Sequence, residues 1–118
     1  MAKVMVLEDE SILRELLREL LGFEGYQVVA PIDPKRLLDE MLAEKPDALI
    51  LDIHLNGING LDLLEEIRKN PELKDVYVLA TSGMNHAHQA RQRGADDFIM
   101  KPYMPDELMQ LLQNKIKD

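Results

Sequence analysis

The sequence contains no cysteine, so disulfides and thiolate metal sites are excluded. A reducing compartment is compatible with that absence. No apolar stretch reaches the length of a membrane span, and no charged leader with an apolar core precedes the first strand-like run. The chain therefore reads as soluble and cytoplasmic. Cations are outnumbered: 14 Lys and Arg face 22 Asp and Glu, a formal net charge of -8. That balance disfavours non-specific nucleic-acid binding, which needs cationic contacts to phosphate. Repeats, low-complexity tracts and linkers are missing too. No glycine-rich loop follows the first apolar run; Glu8-Asp9-Glu10 stands there and would repel the phosphates of a nucleotide. At 118 residues the expectation is one domain over 1–118, large enough for a real core.

What is present is an alternation of short apolar runs with amphipathic segments. Val4 to Leu7, Tyr26 to Ala30, Ala48 to Leu51, Val76 to Ala80 and Asp97 to Met100 have strand length. Between them, Ile12, Leu13, Leu16, Leu17, Leu20 and Leu21 recur at helical spacing, with Gly22 and Gly25 as stops. Leu37, Leu38, Met41 and Leu42 form a second helix behind the cap Asp33-Pro34. Leu61, Leu63, Leu64 and Ile67 mark a third, after a turn at 56–60 in which Gly57 and Gly60 supply positive φ. Leu108, Leu111, Leu112 and Ile116 mark the last. Residues 85–93 are nearly all polar and predict at most a short fourth helix. Such βα alternation predicts a parallel sheet covered by helices on both faces.

In a parallel sheet the strand ends share one edge, and here those ends carry chemistry. The first run stops at Glu8-Asp9-Glu10, the third at Asp52, the fourth at Thr81-Ser82 and the fifth at Lys101-Pro102. Open α/β sheets bind ligands at that edge. Carboxylates, a hydroxyl and an amine together suit a divalent cation and a phosphoryl group. Singly, each residue has a plainer reading: Asp52 as a polar strand end, Lys101 as a surface lysine, the acidic triplet as favourable charge at a helix start.

Taken together, in order and spacing, these segments resemble the response regulator receiver domain of two-component signalling. The resemblance rests on Val4 to Glu10, Leu51-Asp52, the Gly57 and Gly60 turn, Thr81-Ser82, and Gly94-Ala95-Asp96 through Lys101-Pro102-Tyr103. It implies a doubly wound, flavodoxin-like α/β fold: a five-stranded parallel sheet of order 2-1-3-4-5 with five helices. It implies Asp52 as phosphoacceptor, with Thr81 and Lys101 on the phosphoryl group. Mg2+ would be held by Glu8, Asp9, Asp52 and the backbone carbonyl of His54. Thr81 and Phe98 would form the switch, Phe98 filling space that Thr81 leaves. A cis Lys101–Pro102 bond is implied as well.

The implied partners are a sensor histidine kinase or phosphotransfer protein and a downstream protein target, with homodimerisation as a further route. No direct nucleic-acid or membrane contact is implied. The output face would be helix four, strand five and helix five. Catalysis would be limited to the domain's own phosphotransfer and dephosphorylation.

The sequence departs from the family pattern at Glu8, where Asp is more frequent, at Asn56, where Pro is frequent, and in the short stretch from Thr81 to Gly94. That shortening leaves Ser82 as an alternative to Thr81 as switch hydroxyl. His86 and His88 have the wrong spacing for one helical face and read as exposed polar residues. Met84, Met100, Met104 and Met109 read as core filler. Two other functions stand beside the leading one. A phosphorylation-independent interaction module is kept open by the altered helix-four region, while retention of Asp9, Asp52, Thr81 and Lys101 argues against it. A Mg2+-dependent phosphatase acting on outside substrates is disfavoured, because His54 stands where a second acid is wanted.

Overall fold

The computed structural model describes residues 2–116. Met1, Lys117 and Asp118, the ends of the expected 1–118 domain, lie outside the described residues. The elements run β1 (Lys3–Leu7), α1 (Ser11–Phe23), β2 (Gln27–Val29), α2 (Leu37–Glu44), β3 (Ala48–Asp52), α3 (Gly60–Lys69), β4 (Tyr77–Ser82), α4 (Ala87–Gln92), β5 (Asp97–Met100) and α5 (Pro105–Lys115). All pairings among these five strands are parallel, and their order is β2-β1-β3-β4-β5. This is the expected doubly wound architecture.

Side-chain alternation along the strands divides the core into two layers. Met5, Leu7, Leu49, Leu51, Val78 and Ala80 face one side, against α2, α3 and α4. Val4, Val6, Ala48, Ile50, Tyr77 and Leu79 face the other, against α1 and α5. Every residue of β3 is buried, as befits a central strand covered on both faces. Its end is therefore the most rigid place on the sheet edge, and Asp52 is that end.

Local chemistry explains the boundaries. The Asp33 side chain accepts a hydrogen bond from Lys35 N at 3.0 Å, the expected cap. It opens a 3-10 turn, Pro34–Arg36, which runs into α2. Arg68 on α3 brackets the opposite end of the sheet. Its guanidinium donates to the carbonyls of Gly94, Lys74 and Val76 and to Asp96 Oδ2, at 2.7–2.8 Å. α4 is short, as its polar sequence predicts; Ala90 is its one buried residue.

Four expectations need correction. Met84, Met100 and Met104, read as core filler, are 63%, 49% and 64% exposed; of the four methionines so read, only Met109 is buried. Residues 56–60 are not a plain turn: His54–Leu55 and Ile58–Asn59 pair as a small antiparallel hairpin around Asn56-Gly57. Gly57 has the expected positive φ of 75°, whereas Gly60 does not. Gly60 is needed for close approach, because a Cβ there would lie 2.7 Å from Ile53 Cα and 2.8 Å from the Asp52 carbonyl oxygen. α1 buries less of its apolar stripe than the spacing implied. Leu17 and Leu21 are buried, but Ile12 is 85% and Leu16 43% exposed, because the helix presents only one narrow side to the sheet and α5.

Candidate functional site

Four strand ends converge as the sequence suggested. Asp52 pairs in register with Thr81 on β4, and Ser82 with Met100 on β5. The Lys101 backbone amide then donates to the Ser82 carbonyl at 2.8 Å, and Lys101–Pro102 is cis. The Lys101 ammonium reaches back across the edge. Its Nζ lies 2.7 Å from Glu8 Oε1, 3.3 Å from Asp52 Oδ2 and 3.5 Å from Glu10 Oε2. The other Asp52 oxygen, Oδ1, accepts from the His54 backbone N–H at 3.1 Å.

One ammonium thus serves three carboxylates, with Asp9 exposed beside them. Glu8 is the most deeply placed. Burial pushes its carboxyl above the ordinary range, and the hydrogen bonds from Lys101 and the Glu10 amide oppose that shift. For Lys101, burial disfavours the charge. The Glu8 hydrogen bond and the Glu8 and Asp52 charges outweigh it, so its pKa rises. Tyr103 is raised as well, first by burial and then by the charges of Glu8, Asp52 and Glu10.

Thr81 and Ser82 differ in the way that matters. Ser82 Oγ is engaged, accepting from Met84 N at 3.1 Å and lying 3.1 Å from His86 Nδ1. Thr81 Oγ1 is buried with no hydrogen-bond partner among the described residues. An unpaired buried hydroxyl costs roughly 1–3 kcal/mol, so a native site that keeps one invites a functional explanation. Phe98 is half-buried on β5. It packs against the core layer that contains Ala80 and lines an outer groove with Leu111 of α5.

The donor set suits a hard cation: several carboxylates and a backbone carbonyl, with no thiolate. The charge imbalance around Lys101 gives that cation an electrostatic reason to bind. Its expected ligands are not gathered. Among the described residues no three His, Asp or Glu side chains converge on one ion-sized point. Glu8 in particular is spent on Lys101 and the Glu10 amide rather than turned toward Asp9. His54 is exposed, and its ring meets the ring of His86, with centroids 4.9 Å apart. Sequence reasoning missed this pairing, because it assigned His54 only a backbone role and compared His86 with His88.

A parallel sheet whose C-terminal edge gathers carboxylates, a buried hydroxyl and a lysine has the layout of a signalling receiver fold. Residues 4–113 match the family model described as the response regulator receiver domain, and the chain belongs to that family. Relatives include the transcriptional regulatory protein YxdJ of Bacillus subtilis, 34% identical over 99% of this chain and 51% of that protein. The response regulator MprA of Mycobacterium avium is 32% identical over 91% of this chain and 47% of its own length. The chain therefore spans about half the length of these curated relatives. Among solved structures, a putative response regulator from Chloroflexus aurantiacus superposes with a TM-score of 0.89 at 28% identity, covering 96% of this chain and 95% of that one. The chemotaxis protein CheY4 of Vibrio cholerae shares the fold, with a TM-score of 0.90 at 23% identity, covering 98% and 99%.

Proposed function

We propose that this receiver domain accepts a phosphoryl group on Asp52 from a sensor histidine kinase or phosphotransfer protein and so switches its contacts. The observation that carries the reading is the pairing of Asp52 with a neighbour, Thr81, whose buried hydroxyl has no partner, under a lysine 3.3 Å from the carboxylate. A carboxylate oxygen of Asp52 bonds phosphorus as the donor's N–P bond breaks. Lys101 neutralises charge on the transferred group, and Thr81 donates to one of its oxygens. Glu8, Asp9, Asp52 and the His54 carbonyl would hold Mg2+. When bound, that ion supplies charge neutralisation between the carboxylates and the incoming phosphoryl oxygens.

Thr81 moves toward the phosphoryl group and leaves space for Phe98, which stands one register position away: Thr81 pairs with Ile99, and Phe98 with Ala80. Phe98 turns inward, and the face made by α4, β5 and α5 changes shape. A downstream protein or a second copy of the chain reads that face. The domain turns over no outside substrate, spans residues 1–118 as one unit, and works in the cytoplasm. Among the described residues no helix is long and apolar enough to cross a membrane.

The test is incubation with acetyl phosphate and Mg2+, followed by intact-mass measurement of the chain and of Asp52→Asn. One added phosphoryl group on the parent alone is expected. No adduct in either protein would sink the reading, and turnover of an outside phosphoester would favour a phosphatase.

A further inference from the structure

The geometry points to a second metal site: the imidazoles of His54 and His86 form an open two-nitrogen site for a zinc-type divalent ion in a cavity they share with Asp9. His54 leaves the end of β3, and His86 precedes α4, yet the rings meet with centroids 4.9 Å apart and planes at 60°. With Zn–N bonds of about 2.0–2.1 Å, a tetrahedral angle and roughly 1.1 Å from ring nitrogen to ring centre, two imidazoles on one ion would stand about 5 Å apart. The observed centroid separation of 4.9 Å is close to that distance.

A second, independent feature is the hydrogen bond on the far side of one ring. His86 Nδ1 lies 3.1 Å from Ser82 Oγ, which is fully buried and also accepts from Met84 N. In the tautomer whose Nδ1–H donates to Ser82 Oγ, Nε2 carries the lone pair and is left for an ion; in the other, Ser82 donates to Nδ1 and Nε2 keeps the proton. Metal-binding histidines are commonly held by such an outer hydrogen bond, which fixes the tautomer and the ring orientation. Both rings line a cavity of about 480 Å3 together with Asp9, whose carboxylate adds negative charge to the wall. Among the described residues no group of three His, Asp or Glu side chains converges there, so water would complete the coordination. Imidazole donors select zinc-like ions over Mg2+, which prefers oxygen, so donor type distinguishes the two sites although Asp9 and His54 border both.

The experiment is calorimetric titration of the untagged full chain with ZnCl2, with circular dichroism to check each variant's fold. One zinc per chain is expected for the parent, His88→Ala and Asp52→Asn. His54→Ala and His86→Ala should bind more than tenfold more weakly, and Ser82→Ala about tenfold more weakly. Unchanged affinity in any of those three folded variants overturns the assignment. So does parent protein that binds no zinc at millimolar concentration, which would reduce the ring contact to packing. Loss of binding in Asp52→Asn overturns it too, because the ion would then belong to the carboxylates. Zinc binding needs no phosphoryl donor, so its failure is distinct from failure of the phosphoacceptor reading.

Discussion

Replacing Lys101 by Met removes the ammonium and keeps most of the side chain's volume. The partners left behind are Glu8, whose side chain is 2% exposed, and Asp52, 5% exposed. Breaking a buried pair by deleting one member costs about 3–5 kcal/mol, because the remaining charge is stranded. Two features pull toward the lower figure. Lys101 is itself 17% exposed, and each carboxylate keeps a backbone donor, Glu10 N for Glu8 and His54 N for Asp52. The Glu10 contact adds little, since Glu10 is 68% exposed and its charge is screened. A loss of about 3 kcal/mol at pH 7 follows. Without the ammonium, burial acts on the Glu8 carboxyl with less opposition, which raises it further. A carboxyl raised above its unfolded value weakens the fold as pH rises through the interval between the two values. The deficit of Lys101→Met is therefore largest at pH 7 and shrinks toward pH 4. Urea unfolding of both proteins at pH 7, 5 and 4 reads this directly. A deficit below about 1 kcal/mol at pH 7, or one that does not narrow in acid, would refute the account of the buried charge cluster.

Mg2+ should recover part of that lost stability in Lys101→Met, seen as a higher urea midpoint with the ion present, because the cation takes over the missing neutralisation. At the alkaline end, the raised pKa of Lys101 makes its contribution fully present below about pH 10.5 and lost as pH rises through the folded value. The stability gap between the parent and Lys101→Met should narrow there. Arg68→Ala removes four hydrogen bonds and should lower stability by about 3 kcal/mol at unchanged m-value, leaving Asp52 chemistry intact. Gly60→Ala forces a methyl group into backbone atoms beside Asp52 and should cost about 1–3 kcal/mol; it should also slow acetyl phosphate labelling. Thr81→Ala should be neutral or stabilising by up to about 1 kcal/mol in urea, while uncoupling Asp52 phosphorylation from the change at Phe98 measured by NMR.

The parts of this fold that were legible in the sequence were those set by period and order. Apolar runs of strand length between helical stripes required a parallel sheet, and a parallel sheet required Glu8, Asp52, Thr81 and Lys101 to share an edge. Partner choice within the edge was not legible. Whether Glu8 turns to a cation or to Lys101 depends on side-chain reach between distant strands, and the 2.7 Å contact decides for Lys101 in this state. The reason for Gly60 was hidden for the same cause: its neighbours, Ile53 Cα and the Asp52 carbonyl, approach only once α3 has docked. The His54–His86 contact joins two loops that no local periodicity relates. On α1, an apolar stripe revealed the helix and not the width of its buried side, so Ile12 and Leu16 were expected inside.

The site is under-satisfied in two complementary ways, and that complementarity decides what completes it. It holds more carboxylates than one ammonium can balance, so it favours added positive charge. It also holds a buried hydroxyl donor with nothing to donate to, so it favours an added acceptor. A cation alone satisfies the first need and leaves Thr81 unpaired. A free anion supplies the acceptor and worsens the crowding of negative charge. A phosphoryl group bonded to Asp52 supplies acceptor oxygens within reach of β4, and it becomes tolerable only when Lys101 and a divalent ion share its charge. Under the proposed function, the stability lost to the unpaired Thr81 in the resting state would be recovered on phosphorylation. That difference of roughly 1–3 kcal/mol bounds what this one hydroxyl can contribute to the shift in conformation.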